Sequence, residues 1–253
     1  LHFSYKWNMG WMHDFLDYMK LDPYFRKYNH NKMTFGMTYA FSENYILVLS
    51  HDEVVHGKGS MFNKSPGNRM EKFGSLKTCY TMMMGHPGKK LLFMGCEFGQ
   101  DWEWNSEESL RWHLLEYPMY KGMQNCVRDL NLMYKGNPAF YEEDFDYRGF
   151  EWIDHSNADD SVISYMRKGH NPADYMVVIS NFTPVVRHDY RIGVNENCRY
   201  QEIFNSDDVN YWGSGVKNEG LLTTEEGEWN NKPRSIKVTL PPLSTIVLKP
   251  VRD

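Results

Sequence analysis

The stretch ILVLSHDEVVHGKG, residues 46–59, runs four apolar residues straight into a serine, two histidines, an aspartate and a glutamate. An unbroken apolar run of this length is the pattern of a strand covered on both faces, as in a parallel sheet beneath helices. The polar cluster then falls at the strand's C-terminal edge, the edge from which side chains act in α/β barrels. Spacing removes two other chemistries. His51 and His56 are five residues apart, about 140° around a helix, whereas a helical zinc pair needs i and i+4. The HGKGS segment lacks the first glycine of a GxxxxGK[ST] phosphate loop.

Outward from this stretch the same grammar repeats. The segment from His2 through Phe3 to Trp7 reads as strand, and Trp11 to Met19 carries apolar residues at helical spacing before Pro23. A helix is expected from Arg69 to Met84, closed by Gly85 and Pro87, with its three consecutive methionines as packing. Lys90 to Met94 is a second buried strand, broken by Gly95, and Tyr120 to Tyr134 a further helix ending at Gly136 and Pro138. Strands alternating with helices predict βα units around a parallel sheet. After residue 140 helical periodicity stops. Short β-branched segments, Val162 to Arg167, Met176 to Asn181, Gln201 to Asn205 and Ser235 to Leu240, predict an antiparallel β-sandwich closed around Pro241 and Pro242. The expected domains are 1–140, α/β, and 141–253, all-β.

Composition bounds the function. The 253 residues are 41% hydrophobic and 24% charged, within the globular range. A net charge of -5 without a basic block gives no footprint for nucleic acid. Aromatics reach 15%, a density that suits stacking on sugar rings as well as core filling. Four cysteines without a CxxC pair suggest reduced thiols and a cytoplasmic setting, and no apolar run is long enough for a membrane span. The chain opens on Leu1 in strand-like sequence, as though inside a domain.

The stretches FSYKWNMGWMHDFLDYM, TFGMTYAFSENYILVLSHDEVVHGKGSM, GKKLLFMGCEFGQ and VRDLNLMYKGNPAF resemble the bacterial-type 1,4-alpha-glucan (glycogen) branching enzymes of the alpha-amylase family. FEWIDHSNADDSVISYMRKG, ISNFTPVVRHDYRIGV and VTLPPLSTIVLK resemble that family's C-terminal all-β domain. The resemblance covers essentially the whole chain. It implies a (β/α)8 TIM barrel followed by a β-sandwich, and a retaining transfer in which an α-1,4-glucan is cut and rejoined at a 6-hydroxyl, without cofactor or metal. Such chemistry takes a nucleophilic carboxylate and a carboxylic acid about 5–5.5 Å apart. In the family these come from the fourth and fifth barrel strands, and a third carboxylate, in an HD motif after the seventh, grips the distorted sugar. SHDE matches that motif. Asp52 is thereby implied as this third, catalytic carboxylate, with His51 as the substrate-binding residue beside it; Trp7 reads as a substrate-binding ring lining the sugar channel or, equally, as core packing.

A whole barrel takes about 250 residues, against roughly 140 here, so only the last three strands are expected. The chain then carries one of the three catalytic carboxylates, its partners being α-1,4-glucan or glycogen and the missing N-terminal half of the enzyme, and alone it is expected to be inactive. An open sheet edge predicts aggregation. Glu53 is expected to point away from Asp52 if the strand continues extended. His56 and Lys58 read as loop, Glu97 as structural, and residues 103–109 as a capped helix start or a glucan contact. A related hydrolase or debranching enzyme, and a non-catalytic glucan-binding module, are the alternatives.

Overall fold

The computed structural model describes residues 3–252; the strand start expected at His2 lies outside them. Three parallel strands, β1 (Lys6–Trp7), β2 (Tyr45–Leu49) and β3 (Lys89–Leu92), lie side by side in that order. In β2, Leu47, Val48 and Leu49 are fully buried, as an apolar run covered on both faces requires. β1 is shorter than the expected Phe3 to Trp7, and β3 ends two residues before Met94.

Helix α1 (Met9–Lys20) starts where Asn8 Oδ1 accepts the Trp11 N–H, and it buries Trp11, Met12, Phe15, Leu16 and Met19 on one face. Two short helices follow, α2 (Pro23–Arg26) and α3 (Asn31–Thr34). Helix α4 (Arg69–Gly85) starts at a capping box in which Asn68 and Glu71 each accept the other's backbone N–H. Helix α5 (Pro118–Gly136) begins on a proline and ends before Pro138.

The remainder is antiparallel. Strands β4 (Phe150–Asp154), β5 (Val162–Lys168), β6 (Tyr175–Asn181), β7 (Arg187–Val194), β8 (Arg199–Asn205), β9 (Leu221–Thr223), β10 (Glu225–Trp229), β11 (Lys232–Leu240) and β12 (Ser244–Val251) form two sheets. One has the order β4-β5-β6-β12-β8-β9 and the other β10-β11-β7. Pro241 and Pro242 do not close a hairpin; they turn the chain from the smaller sheet into the larger. Val177 and Ile179 of β6 face the smaller sheet, while Met176 and Val178 face the helices. The larger sheet is therefore buried on both sides, and α4 lies against it. Tyr80 OH donates to Cys96 O beyond β3, and Tyr165 OH of β5 donates to Met82 O. Gly85 is required here, because a Cβ would stand 2.6 Å from the Tyr165 hydroxyl.

A buried ionic cluster joins the two halves. Arg167 of β5, with no exposed surface, donates to Gly149 O, Gly85 O and Phe140 O and pairs with Asp144 at 2.9 Å. Lys89 Nζ and Tyr134 OH also donate to Asp144, at 2.8 and 3.0 Å. Burial pushes the Asp144 carboxyl up, but Lys90, Arg167 and Lys89 outweigh it and hold it below the usual carboxylate value. Burial pulls the Lys90 amine down to about 7 despite Asp144. Both lysines of β3 thus turn into this cluster.

Arg167→Met removes the cation while leaving three carbonyls and a carboxylate buried. It is expected to cost about 3–5 kcal/mol in urea denaturation. His86 is fully buried, and burial lowers its pKa from 6.5 to about 4. Between those values the unfolded chain binds the extra proton, so stability present above pH 6.5 is lost as pH falls toward 4, by up to about 1.4 kcal/mol per pH unit. Urea titrations across this window should show that slope, flattened in His86→Gln.

Candidate functional site

At the end of β2 the backbone turns instead of continuing extended. Ser50 caps a single 3₁₀ turn, His51–Glu53, in which Asp52 N donates to Ser50 Oγ at 3.2 Å. Glu53 Oε2 accepts from Ser50 N at 2.8 Å and from Ser50 Oγ at 2.9 Å. Glu53 is buried, and the turn sends it inward and Asp52 out. Glu53 therefore points away from Asp52 as expected, but through a 3₁₀ turn and not through strand alternation, and it is the clamp that holds the turn. The signal was present in Ser50-His51-Asp52-Glu53, which has the S-x-x-E spacing of a capping box.

Asp52 projects beyond the C-terminal end of the parallel strands with its side chain 56% exposed, and its Oδ1 lies 3.3 Å from His51 Nε2. The two residues implied to act together are together. The His51 ring leans on Phe93 at 5.9 Å, and Phe93 stands edge-on to Trp104 at 5.2 Å. Phe93 N donates to Leu49 O, so the residues following β2 and β3 meet at one rim. Sequence reading missed Phe93 because it took that residue as strand interior. Trp7 is level with Ile46, three residues short of Leu49, which places it about 10 Å below the rim along the strand. Trp7 is 41% exposed, and among the described residues no hydrogen bond or ring contact joins it to His51 or Asp52.

The loop after the turn is tied down from the far side. Gly59 N donates to Glu103 Oε1 at 2.8 Å, Trp104 N donates to Val54 O at 2.8 Å, and His56 Nδ1 lies 3.5 Å from Glu103 Oε2. The backbone N–H groups of Gly59 and Gly57 hold the Glu103 carboxyl below its usual value. Residues 103–109 form no helix and hold one turn at 106–107, where Asn105 Oδ1 accepts from Glu107 N. Glu97 is structural, accepting from Gly95 N at 2.7 Å, where Gly95 takes the left-handed backbone that a side chain would strain. The methionine run is buried packing, and all four cysteines are free thiols. Among the described residues no group of three or more His, Cys, Asp or Glu could hold a metal ion, and no helix is long and apolar enough to cross a membrane.

Residues 152–251 match the family model of the alpha amylase C-terminal all-beta domain. Over 250 residues, 99% of this chain, the sequence is 54% identical to the 1,4-alpha-glucan branching enzyme of Rubrobacter xylanophilus, and over 253 residues it is 53% identical to that of Halothermothrix orenii. The aligned parts are 34% and 40% of those relatives, so the chain spans a third to two fifths of their length. Among solved structures, an alpha-amylase from H. orenii superposes with TM-score 0.57 at 17% identity, covering 98% of this chain and 49% of that one. A cyclomaltodextrinase superposes with TM-score 0.65 at 14% identity, covering 98% of this chain and 37% of that one. The fold expected from the sequence, part of an α/β barrel followed by an antiparallel sandwich, and the resemblance to branching enzymes both stand.

The geometry separates two carboxylates by consequence. Glu53→Ala loses a buried pair of hydrogen bonds and is expected to cost about 1–3 kcal/mol. Asp52→Asn, at an exposed site, should shift stability by no more than about 0.5 kcal/mol. Thermal melts of the two variants beside the parent check this.

Proposed function

We propose that this chain is the C-terminal part of a cytoplasmic 1,4-alpha-glucan branching enzyme, and that Asp52 is its sugar-gripping carboxylate. The observation that carries the reading is the placement of Asp52. It stands exposed at the C-terminal end of a buried parallel strand, beside His51, on a turn fixed by Ser50 and Glu53. Identity above 50% to named branching enzymes across nearly the whole chain supports the choice of reaction over hydrolysis or debranching. Free thiols at all four cysteines fit a reducing compartment.

In the retaining reaction one carboxylate attacks the anomeric carbon while a carboxylic acid protonates the leaving oxygen, and the glycosyl group is then passed to a 6-hydroxyl. Those two carboxyls would come from sequence that the relatives have and this chain does not span. The role left for Asp52 is to accept hydrogen bonds from ring hydroxyls of the distorted glucose, bonds that strengthen as positive charge builds on the ring. His51 would donate to an adjacent hydroxyl. No proton transfer by Asp52 is required.

Joined to the upstream part of such an enzyme, the parent sequence should branch amylose, read as loss of iodine colour. Asp52→Asn should lower that rate by about 10²–10³-fold while the melting temperature holds. Near-normal turnover in the folded variant would refute the role.

A further inference from the structure

Two residues after Asp52 the chain leaves the core at Val54, and it returns at Ser60 and Met61; none of the five residues between belongs to the core. His56, Gly57 and Lys58 are exposed, and a Cβ placed on Gly57 or Gly59 would meet no atom within 4 Å. Both glycines take left-handed backbone, with φ of 79° and 73°, so positions able to absorb a hinge motion flank Lys58 on either side. A segment without buried apolar contacts opens at little cost unless something polar holds it.

One side chain holds it. Among the described residues, every hydrogen bond or ion pair from 55–59 to a residue outside 51–64 goes to Glu103. Gly59 N donates to its Oε1 at 2.8 Å, the Gly57 N–H also turns on the carboxyl, and His56 Nδ1 lies 3.5 Å from Oε2. Backbone N–H groups gathered around an anion form a nest, and here the anion is a side chain from the loop after β3. That loop is itself anchored on both sides of Glu103: Trp104 N donates to Val54 O at 2.8 Å, and Asp101 O accepts from Asn63 Nδ2 at 2.8 Å. Those two bonds fix the ends of the strap, and the carboxylate fixes the span between them. Trp104 also stands edge-on to Phe93, on which the His51 ring leans, so the latch and the rim share one support.

We propose that Glu103 is a positioning residue that latches segment 55–59 as a strap beside Asp52, and that the closed strap keeps water from the reacting sugar, so that transfer wins over hydrolysis. The consequence for the reaction rests on the branching-enzyme reading; the latch itself does not. In the second half of a retaining transfer, the acceptor's hydroxyl oxygen bonds to the anomeric carbon as the ester to the nucleophilic carboxylate breaks, and the acceptor's proton passes to the second carboxyl, now a base. Water can take the acceptor's place atom for atom, and the product is then a cut chain with a new reducing end. Closing the site against solvent suppresses that side reaction. Glu103 acts through the backbone it holds, not through the sugar.

Two measurements test the proposal. In amide exchange on the 253-residue chain, the Gly57 and Gly59 N–H groups should exchange about tenfold faster in Glu103→Ala than in the parent, while Trp104 and the amides of α4 keep their protection. In the enzyme joined to its upstream part, Glu103→Ala should raise the ratio of new reducing ends, which only hydrolysis makes, to branches by about fivefold. Glu103→Gln, which keeps one acceptor oxygen, should raise that ratio less. A purely structural loss would lower both products together and leave their ratio fixed. Unchanged exchange at Gly59 overturns the latch, and an unchanged ratio in Glu103→Ala overturns its part in the reaction. A joined parent that makes no branches sinks the branching-enzyme reading instead, and the exchange result still decides the latch.

Discussion

Helix α4 is buried on nearly every side, and this constraint organises the molecule. From Phe73 to Gly85 its residues touch the parallel sheet's loops on one side and the six-stranded sheet on the other, apart from Gly74 at the margin. A helix in that position cannot present a polar stripe to water, so its polar residues must be satisfied inside. Thr78 and Thr81 donate back to Gly74 O and Lys77 O, and Lys77 donates to Tyr211 O. Its C-terminal carbonyl at Gly85 is met by Arg167 from the sandwich. The seam is therefore a continuous core, and a single cluster of apolar residues runs from β2 through α1, α4 and α5 to one face of the sandwich.

Much of this was legible in the sequence because periodicity survives tertiary context in long elements. α1, α4 and α5 lie within a few residues of where apolar spacing, glycines and prolines place them. Val162–Lys168 and Tyr175–Asn181 were equally readable as β-branched runs. The buried cluster was not, since Asp144 and Arg167 lie 23 residues apart and nothing local marks them as partners. The Pro241-Pro242 corner was visible as a turn, but which sheet each flanking strand joins is decided by packing alone. Extended strand was expected from Phe3, yet only Lys6 and Trp7 find a partner in β2.

The candidate site was legible in its residues and misread in its backbone. His51 and Asp52 were expected at the rim and lie there side by side. Glu53 was assigned by alternation, a rule that holds only while the chain stays extended. Ser50 ends that regime by capping the next turn, and the local hydrogen bonds of a serine and a glutamate three residues apart outweigh one more residue of strand.

That substitution of a turn for a strand explains how one short segment both holds and presents. In an extended strand His51 and Glu53 would share one face and Asp52 the other, with its anchoring left to distant residues. In the 3₁₀ turn Glu53 folds back onto Ser50 and is buried, while His51 and Asp52 are left adjacent and exposed. The anchor and the presented group are one residue apart, so any shift of the strand carries both. The following loop is held independently, by Glu103 on Gly59 N and Trp104 on Val54 O. The sugar-gripping role we propose for Asp52 asks for an exposed carboxylate whose backbone is fixed from both sides, a group that would stay hydrated until a sugar displaced its water, without rearranging the chain that carries it.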